Sequence, residues 1–228
     1  MVVDRPIILA SASPRRREFF TLLGLPFEVF TASVDETPRP GEAPDVLVAR
    51  LSAMKAAAVA QAFAPSGAHR ASELAEGLEN GLVVAADTTV VIDGEILGKP
   101  VDALHARRML ERLRGRAHMV YSAVTVVEMG SRRTAIHLSA TTVWMREYTQ
   151  AEIDAYVASG DPLDKAGAYA IQHAGFQPVA RIEGCYSGVM GLPLGALADA
   201  LAHFDFTLPV DVPTICRRRT GQPCCREA

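Results

Sequence analysis

Leu82-Val83-Val84-Ala85-Ala86-Asp87-Thr88-Thr89-Val90-Val91-Ile92-Asp93-Gly94-Glu95-Ile96-Leu97 is the stretch that decides the fold. Its run from Leu82 to Ile92 reads as a core strand, rich in β-branched side chains. Asp93-Gly94 is a strong two-residue hairpin signal, so Glu95–Leu97 returns as a short antiparallel strand. Asp87 breaks the pattern. A carboxylate inside such an apolar run is expensive to desolvate unless it is paired or bound to a metal. Strand alternation puts Ala85, Asp87 and Thr89 on one face and Ala86, Thr88 and Val90 on the other. Asp87 therefore reads as a metal ligand or general base, ahead of the plainer reading of a carboxylate capping a nearby loop.

Upstream, Ile7–Ala10 is a short apolar strand, followed by Ser11-Ala12-Ser13 and a helix from Pro14 to about Leu23, stopped by Gly24. Ser13 suits the N-cap and Pro14 the first helical position. Phe27–Thr31 is extended. A longer helix opens at Pro44 and ends near Ala64, with Leu47, Leu51, Met54 and Ala58 at the helical period. Residues 65–81 read as a surface excursion. Downstream, Asp102 caps a helix to about Leu113, and two long strands follow, Ala117–Glu128 and Thr134–Arg146. Thr149-Gln150-Ala151-Glu152 is a capping box. A strand-like Phe176–Ile182 and a last helix from Pro193 to about Phe204 complete residues 1–206, read as one domain. Beyond Phe206 periodicity is lost, and residues 207–228 read as a loose C-terminal tail. The expected class is α/β, a mixed twisted sheet with flanking helices.

Composition narrows the options. A formal net charge of −3 gives no global attraction for nucleic acid, so a polyanion must be met by a local basic site. No apolar run reaches the ~18 residues of a membrane span, and the first residues lack a secretory signal, so a cytoplasmic protein is expected. The four cysteines have no metal-ligand spacing and read as free thiols.

Arg15-Arg16-Arg17 sits in the first turn of a helix, where the macrodipole disfavours cations. The triplet makes sense if an anion lies between it and the free N–H groups of Ser13 to Arg16. Lys55 falls in the apolar sector of its helix, either snorkelling to water or aimed into a cleft. Lys99, in Gly98-Lys99-Pro100, is close in sequence to Asp87, and Asp164-Lys165 adds an acid–base pair on a Gly-containing turn. Together these are the parts for handling a polyphosphate with a divalent ion. No P-loop signature is present, and the six histidines lack ligand-like spacing.

Seven blocks occur in order: Ser11-Ala12-Ser13-Pro14-Arg15-Arg16, Asp35-Glu36, Lys55, Ala86-Asp87-Thr88, Gly98-Lys99-Pro100, Asp164 to Tyr169 and Gly191-Leu192-Pro193. In this the chain resembles the Maf family of nucleoside triphosphate pyrophosphatases, from about Ile7 to Phe204. The resemblance implies a fold like that of the inosine triphosphate pyrophosphatases, with two lobes around a cleft, and a possible homodimer. It implies hydrolysis of a nucleoside triphosphate to monophosphate and pyrophosphate, dependent on Mg²⁺ or Mn²⁺, with no nucleic-acid or membrane partner. Asp87 would accept the proton of the attacking water, and Glu36 would join Asp87 at the metal. Phosphate contacts would come from Ser13, Arg16, Lys55, Lys99 and Lys165. Arg15, Thr88 and Gln172 match the specificity residues of the dTTP- and UTP-hydrolysing branch, and Gln172 can present donor and acceptor to an imide edge. The alternatives are a 7-methyl-GTP or broad-specificity pyrophosphatase, and a non-catalytic nucleotide-binding regulator of cell division.

Overall fold

The computed structural model describes residues 5–64 and 80–227. Most of the surface excursion expected over 65–81 lies outside them. The central strand is β3, Leu82–Ile92. It pairs antiparallel with β5 (Ala117–Glu128) along Leu82–Val91; β5 pairs with β6 (Thr134–Met145), and β6 with β7 (Val179–Glu183). On the other edge of β3 runs β1 (Ile7–Leu9), parallel to it, with β2 (Glu28–Val29) beyond. β4 (Glu95–Leu97) folds back through Asp93 and Gly94, at φ 55° and 77°, the left-handed pair of a tight hairpin. The result is a mixed seven-stranded sheet.

One gap in this pairing places the functional residues. β1 accompanies β3 only as far as Val84, and β4 joins the same edge only from Val90. Between them, Ala85–Thr89 have β5 on one side and no strand on the other among the described residues. Asp87 and Thr88 sit in that opening.

The two faces of β3 serve different layers. Leu82, Val84, Ala86, Val90 and Ile92 join a large core with Phe19 and Phe20 of α1 (Pro14–Leu22). Side chains of α3 (Ala103–Leu113), α4 (Gln150–Ala158) and α6 (Leu194–Ala202) complete it. Each fully buried Leu or Phe there contributes about 1.5–3 kcal/mol. Val83 and Ala85 face a smaller core with Ala56, Val59 and Ala60 of α2 (Pro44–Ala62). Asp87 shares this second face, which brings it under α2. The helix starts follow their local signals. The Asp102 carboxylate accepts the His105 N–H at 2.7 Å, and the Thr149/Glu152 capping box is complete.

Three expectations change. The strand read at Phe176–Ile182 begins only at Val179, because Gln177 has φ 46° and Pro178 lacks an N–H for the ladder. The extended piece at Phe27–Thr31 pairs only through Glu28 and Val29. The third concerns the loose tail expected over 207–228, of which 207–227 are folded and packed. Asp211 caps α7 (Val212–Thr220) by accepting the Thr214 N–H at 2.9 Å, and Gly221 ends it at φ 70°. Val212, Cys216 and Cys224 are buried, and Arg226 reaches back to Gly195 O and Asp199 on α6. A helix this short shows little periodicity, and the burial holding it is tertiary. Among the described residues no helix is long and apolar enough to cross a membrane.

Candidate active site

β1 ends at the gap in the sheet, and the chain turns through Ser11–Ser13 into α1, whose N-terminus therefore opens on Asp87 and Thr88. A cavity of about 800 Å³ fills this space. Its walls include Ser13, Arg15, Arg16, Glu36 and Lys55 from the first third of the chain. Asp87, Thr88 and Lys99 come from the hairpin region, and Lys165 and Gln172 from the segment after α4.

Lys55 is the hub of one side. Its Nζ donates to Asp87 Oδ1 at 2.6 Å and pairs with Glu36 Oε1 at 2.7 Å. The loop carrying Glu36 is tethered to α2 by Arg50, which donates to Thr37 O at 3.1 Å and to both Glu42 oxygens at 2.6 and 2.7 Å. Burial pushes the Asp87 carboxyl above its ordinary pKa, partly offset by the Lys55 ammonium and then by Arg16. The group stays close to a cation yet is a stronger base than a solvated aspartate.

Arg16 lies opposite. Its Nε donates to Gly191 O at 2.8 Å and its Nη1 to Ser11 Oγ at 3.3 Å. Burial lowers its pKa, with Asp87 counteracting. Gly191 has φ 110°, and a Cβ there would stand 3.5 Å from Arg16 Nε and 3.8 Å from Thr88 Oγ1. Those are ordinary contacts, so it is the positive φ, which L side chains rarely adopt, that favours glycine where this carbonyl meets the guanidinium. Ser13 occupies the N-cap position of α1 but makes no side-chain cap bond. Ser13 lines the cavity at the start of α1, where first-turn N–H groups lack intrahelical partners, an anion-binding arrangement. Arg17 is exposed.

Thr88 has a defined polarity. Ser122 Oγ donates to Gly188 O at 2.8 Å, so the 2.8 Å contact between Thr88 Oγ1 and Ser122 Oγ is donated by Thr88. The lone pairs of Thr88 remain free to accept from a ligand. Lys99 is exposed at the rim, without a hydrogen bond or ion pair among the described residues. Lys165 is buried and differently placed: its Nζ donates to Asp161 O at 2.6 Å, Asp161 Oδ1 at 2.9 Å and Asp164 Oδ1 at 2.6 Å. All three ammonium protons serve its own turn. Arg15 meets the other oxygen of Asp164 at 3.9 Å.

A divalent ion fits the carboxylate pair. Glu36 and Asp87 converge on one ammonium and could present oxygens to one cation, while no three His, Cys, Asp or Glu side chains gather as a ligand set among the described residues. Two carboxylates with substrate phosphates and water completing the shell is how Mg²⁺ is usually held.

A sequence-family profile described as Maf-like protein matches residues 6–204. The chain belongs to the Maf-like family. The dTTP/UTP pyrophosphatase of Methylococcus capsulatus is 50% identical over 88% of this chain and 91% of that one. The dTTP/UTP pyrophosphatases of Pelotomaculum thermopropionicum (42%; 90% and 99%) and Chromobacterium violaceum (45%; 90% and 98%) are similar over comparable spans. The solved structure of the Staphylococcus aureus Ham1 protein aligns with a TM-score of 0.48 and 13% identity, covering 98% of this chain and 93% of that chain.

Three contributors to this Maf-like site were not singled out in the sequence. Ser122 sits opposite Thr88 in the β3–β5 register, and its only signal was a hydroxyl in an apolar strand. Asp161 engages Lys165 and Arg50 steadies the Glu36 loop; each looks like an ordinary surface charge until the chain folds. Gly191 was visible as part of Gly191-Leu192-Pro193, without its positive φ or its carbonyl contact to Arg16.

Proposed function

We propose that this cavity hydrolyses dTTP and UTP between the α- and β-phosphates, giving the monophosphate and pyrophosphate with Mg²⁺ or Mn²⁺. The observation that carries the reading is the meeting of Asp87, Lys55 and Arg16, with the start of α1, in one cavity, from three separate segments. The names of the relatives agree with it.

The triphosphate lies with its charge between the α1 N-terminus, Ser13, Arg15 and Arg16 on one side and Lys55 on the other, with Lys99 at the rim. These groups neutralise the oxygens of the pyrophosphate leaving group. Asp87 orients a water and takes its proton during attack at the α-phosphorus, and its raised basicity suits that role. A divalent ion held by Glu36 and Asp87 would neutralise phosphate charge when bound. Thr88 accepts a hydrogen bond from the base and Gln172 supplies amide donors and an acceptor, which together suit the N3–H and carbonyls of uracil or thymine.

The test is product analysis of a nucleotide panel with Mg²⁺ in ¹⁸O-water. Expected are dTMP or UMP carrying the label, and unlabelled pyrophosphate. Diphosphate with inorganic phosphate would overturn the bond assignment, and equal turnover of purine triphosphates would overturn the specificity.

A further inference from the structure

The C-terminal segment, 207–227, follows the stretch matched by the Maf-like family, which ends at residue 204, and none of its residues lines the cavity. It nevertheless touches three elements that do border the site. α7 packs on α6 and on α5 (Tyr186–Val189), the short helix that leads into Gly191. Val212, Cys216 and Cys224 are buried in the same core as Met190, Leu192 and Leu194. Arg226 lies along α6, donating to Gly195 O at 3.0 Å and to Asp199 Oδ1 at 2.8 Å. A Cβ at Gly195 would come within 3.1 Å of Arg226 Cδ, so glycine leaves the space that this side chain fills. The third contact is with α1: Arg219 Nε, shielded from solvent, stands 2.8 Å from Glu18 Oε1 as an ion pair.

That ion pair falls where α1 is least secured. The helix enters the core only at Phe19 and Phe20; residues 14–17 contribute no buried side chain, and Ser13 makes no cap bond. Arg16, in this first turn, is held by its bonds to Gly191 O and Ser11 Oγ. Glu18 stands two residues on, about 200° round the helix from Arg16. The Arg16–Gly191 bond thus joins two segments, α1 and the turn after α5. The C-terminal segment holds both of them, α5 through the packing of α7 and α1 through Arg219.

We propose that Arg219 is a positioning residue for Arg16. Through Glu18 it fixes the rotation of the first turn of α1, so that the guanidinium of Arg16 stays on Gly191 O and faces the triphosphate. The inference rests on Arg16 as a phosphate contact. The ion pair is partly exposed, so its effect is modest. It falls on substrate binding, because Asp87 and Lys55 are held by contacts that do not involve α1.

The test is steady-state kinetics of the full-length protein with dTTP and Mg²⁺, well below the unfolding temperature of every variant. Arg219→Ala should raise KM by roughly 5-fold with kcat within about twofold of wild type. Glu18→Ala reads the same contact from its other side and should match it, while Arg219→Lys, which keeps the charge, should stay near wild type. In an Arg16→Ala background, Arg219→Ala should add nothing, because the group it positions is gone. Unchanged KM in folded Arg219→Ala and Glu18→Ala, whatever their melting temperatures, would overturn the inference. So would a loss carried by kcat, or one that persists in the Arg16→Ala background. Wild-type kinetics in Arg16→Ala alone would overturn the phosphate role of Arg16 instead, a separate result because residue 219 is untouched.

Discussion

Lys55 and Lys165 are both lysines drawn into the same cavity wall, and each faces two carboxylates, but they are built in opposite ways. The partners of Lys55 come from elsewhere: Glu36 from the loop before α2 and Asp87 from β3, 32 residues away. The partners of Lys165 are Asp161 and Asp164, on its own turn, with the Asp161 carbonyl as a third acceptor. Tyr156 holds this local cluster by donating to Asp161 Oδ2 at 2.7 Å while accepting the Ala170 N–H at 3.0 Å. A cation whose donors are satisfied within four residues stabilises its turn. A cation held between distant carboxylates marks a place where tertiary structure has concentrated charge at the expense of desolvation. Lys165 anchors its own turn beside Arg15, and Lys55 is the one placed for the proposed reaction.

The sharpest way to break this comparison is Asp87→Asn, an isosteric change that leaves Lys55 paired with Glu36. It should fold normally and lose roughly 10²–10⁴-fold in kcat, the usual share of a general base. Pyrophosphate release near the wild-type rate would remove Asp87 from the mechanism. Next come Lys55→Ala and Lys165→Ala, side by side. Lys55→Ala should lower kcat/KM by roughly 10²-fold in the folded enzyme, beyond any fall in Tm from leaving Asp87 without its partner. Lys165→Ala should act mainly on stability, costing roughly 1–3 kcal/mol for partners left without their donor. Equal kinetic losses in the two variants would erase the distinction.

pH dependence needs a group outside both clusters. His118 is buried, 2.7 Å from the Tyr169 hydroxyl through Nε2, and burial lowers its pKa to about 4. Below its ordinary value of about 6.5 the unfolded chain takes up a proton that the folded chain refuses. Its contribution to stability is therefore full above about pH 6.5 and declines as pH falls towards 4, by about 2 kcal/mol at pH 5. Urea unfolding at pH 7 and pH 5 should show that decline, and His118→Asn should flatten it. An unchanged slope in the variant would assign the acid sensitivity to carboxylates instead. The smallest effect is expected at the base: Gln172→Ala should reduce discrimination between UTP and purine triphosphates by about 10-fold, as one lost polar contact, measured as the ratio of kcat/KM values.

Much of this was legible in the residues. Asp87 announced itself because an acid in an apolar strand has few inexpensive explanations, and Asp93-Gly94 because a two-residue hairpin needs left-handed backbone. Helix caps at Asp102 and Thr149 follow from chemistry within three residues. The C-terminal segment was misread because a helix of this length depends on what it packs against. Lys165 was read as an acid–base pair with Asp164; that Asp161 also takes its ammonium was not legible, because spacing carries no signal about where those oxygens point.

What the sequence determined alone is local: the strand, the hairpin, the helix starts and the presence of an acid that must be compensated. These depend on backbone preference and desolvation, which act over a few residues. Tertiary structure decided that, among the described residues, β1 and β4 leave β3 uncovered between Val84 and Val90, and that Lys55 reaches Asp87 at that opening. Such distances are set by how helices and strands pack across the sheet, and spacing along the chain does not encode them.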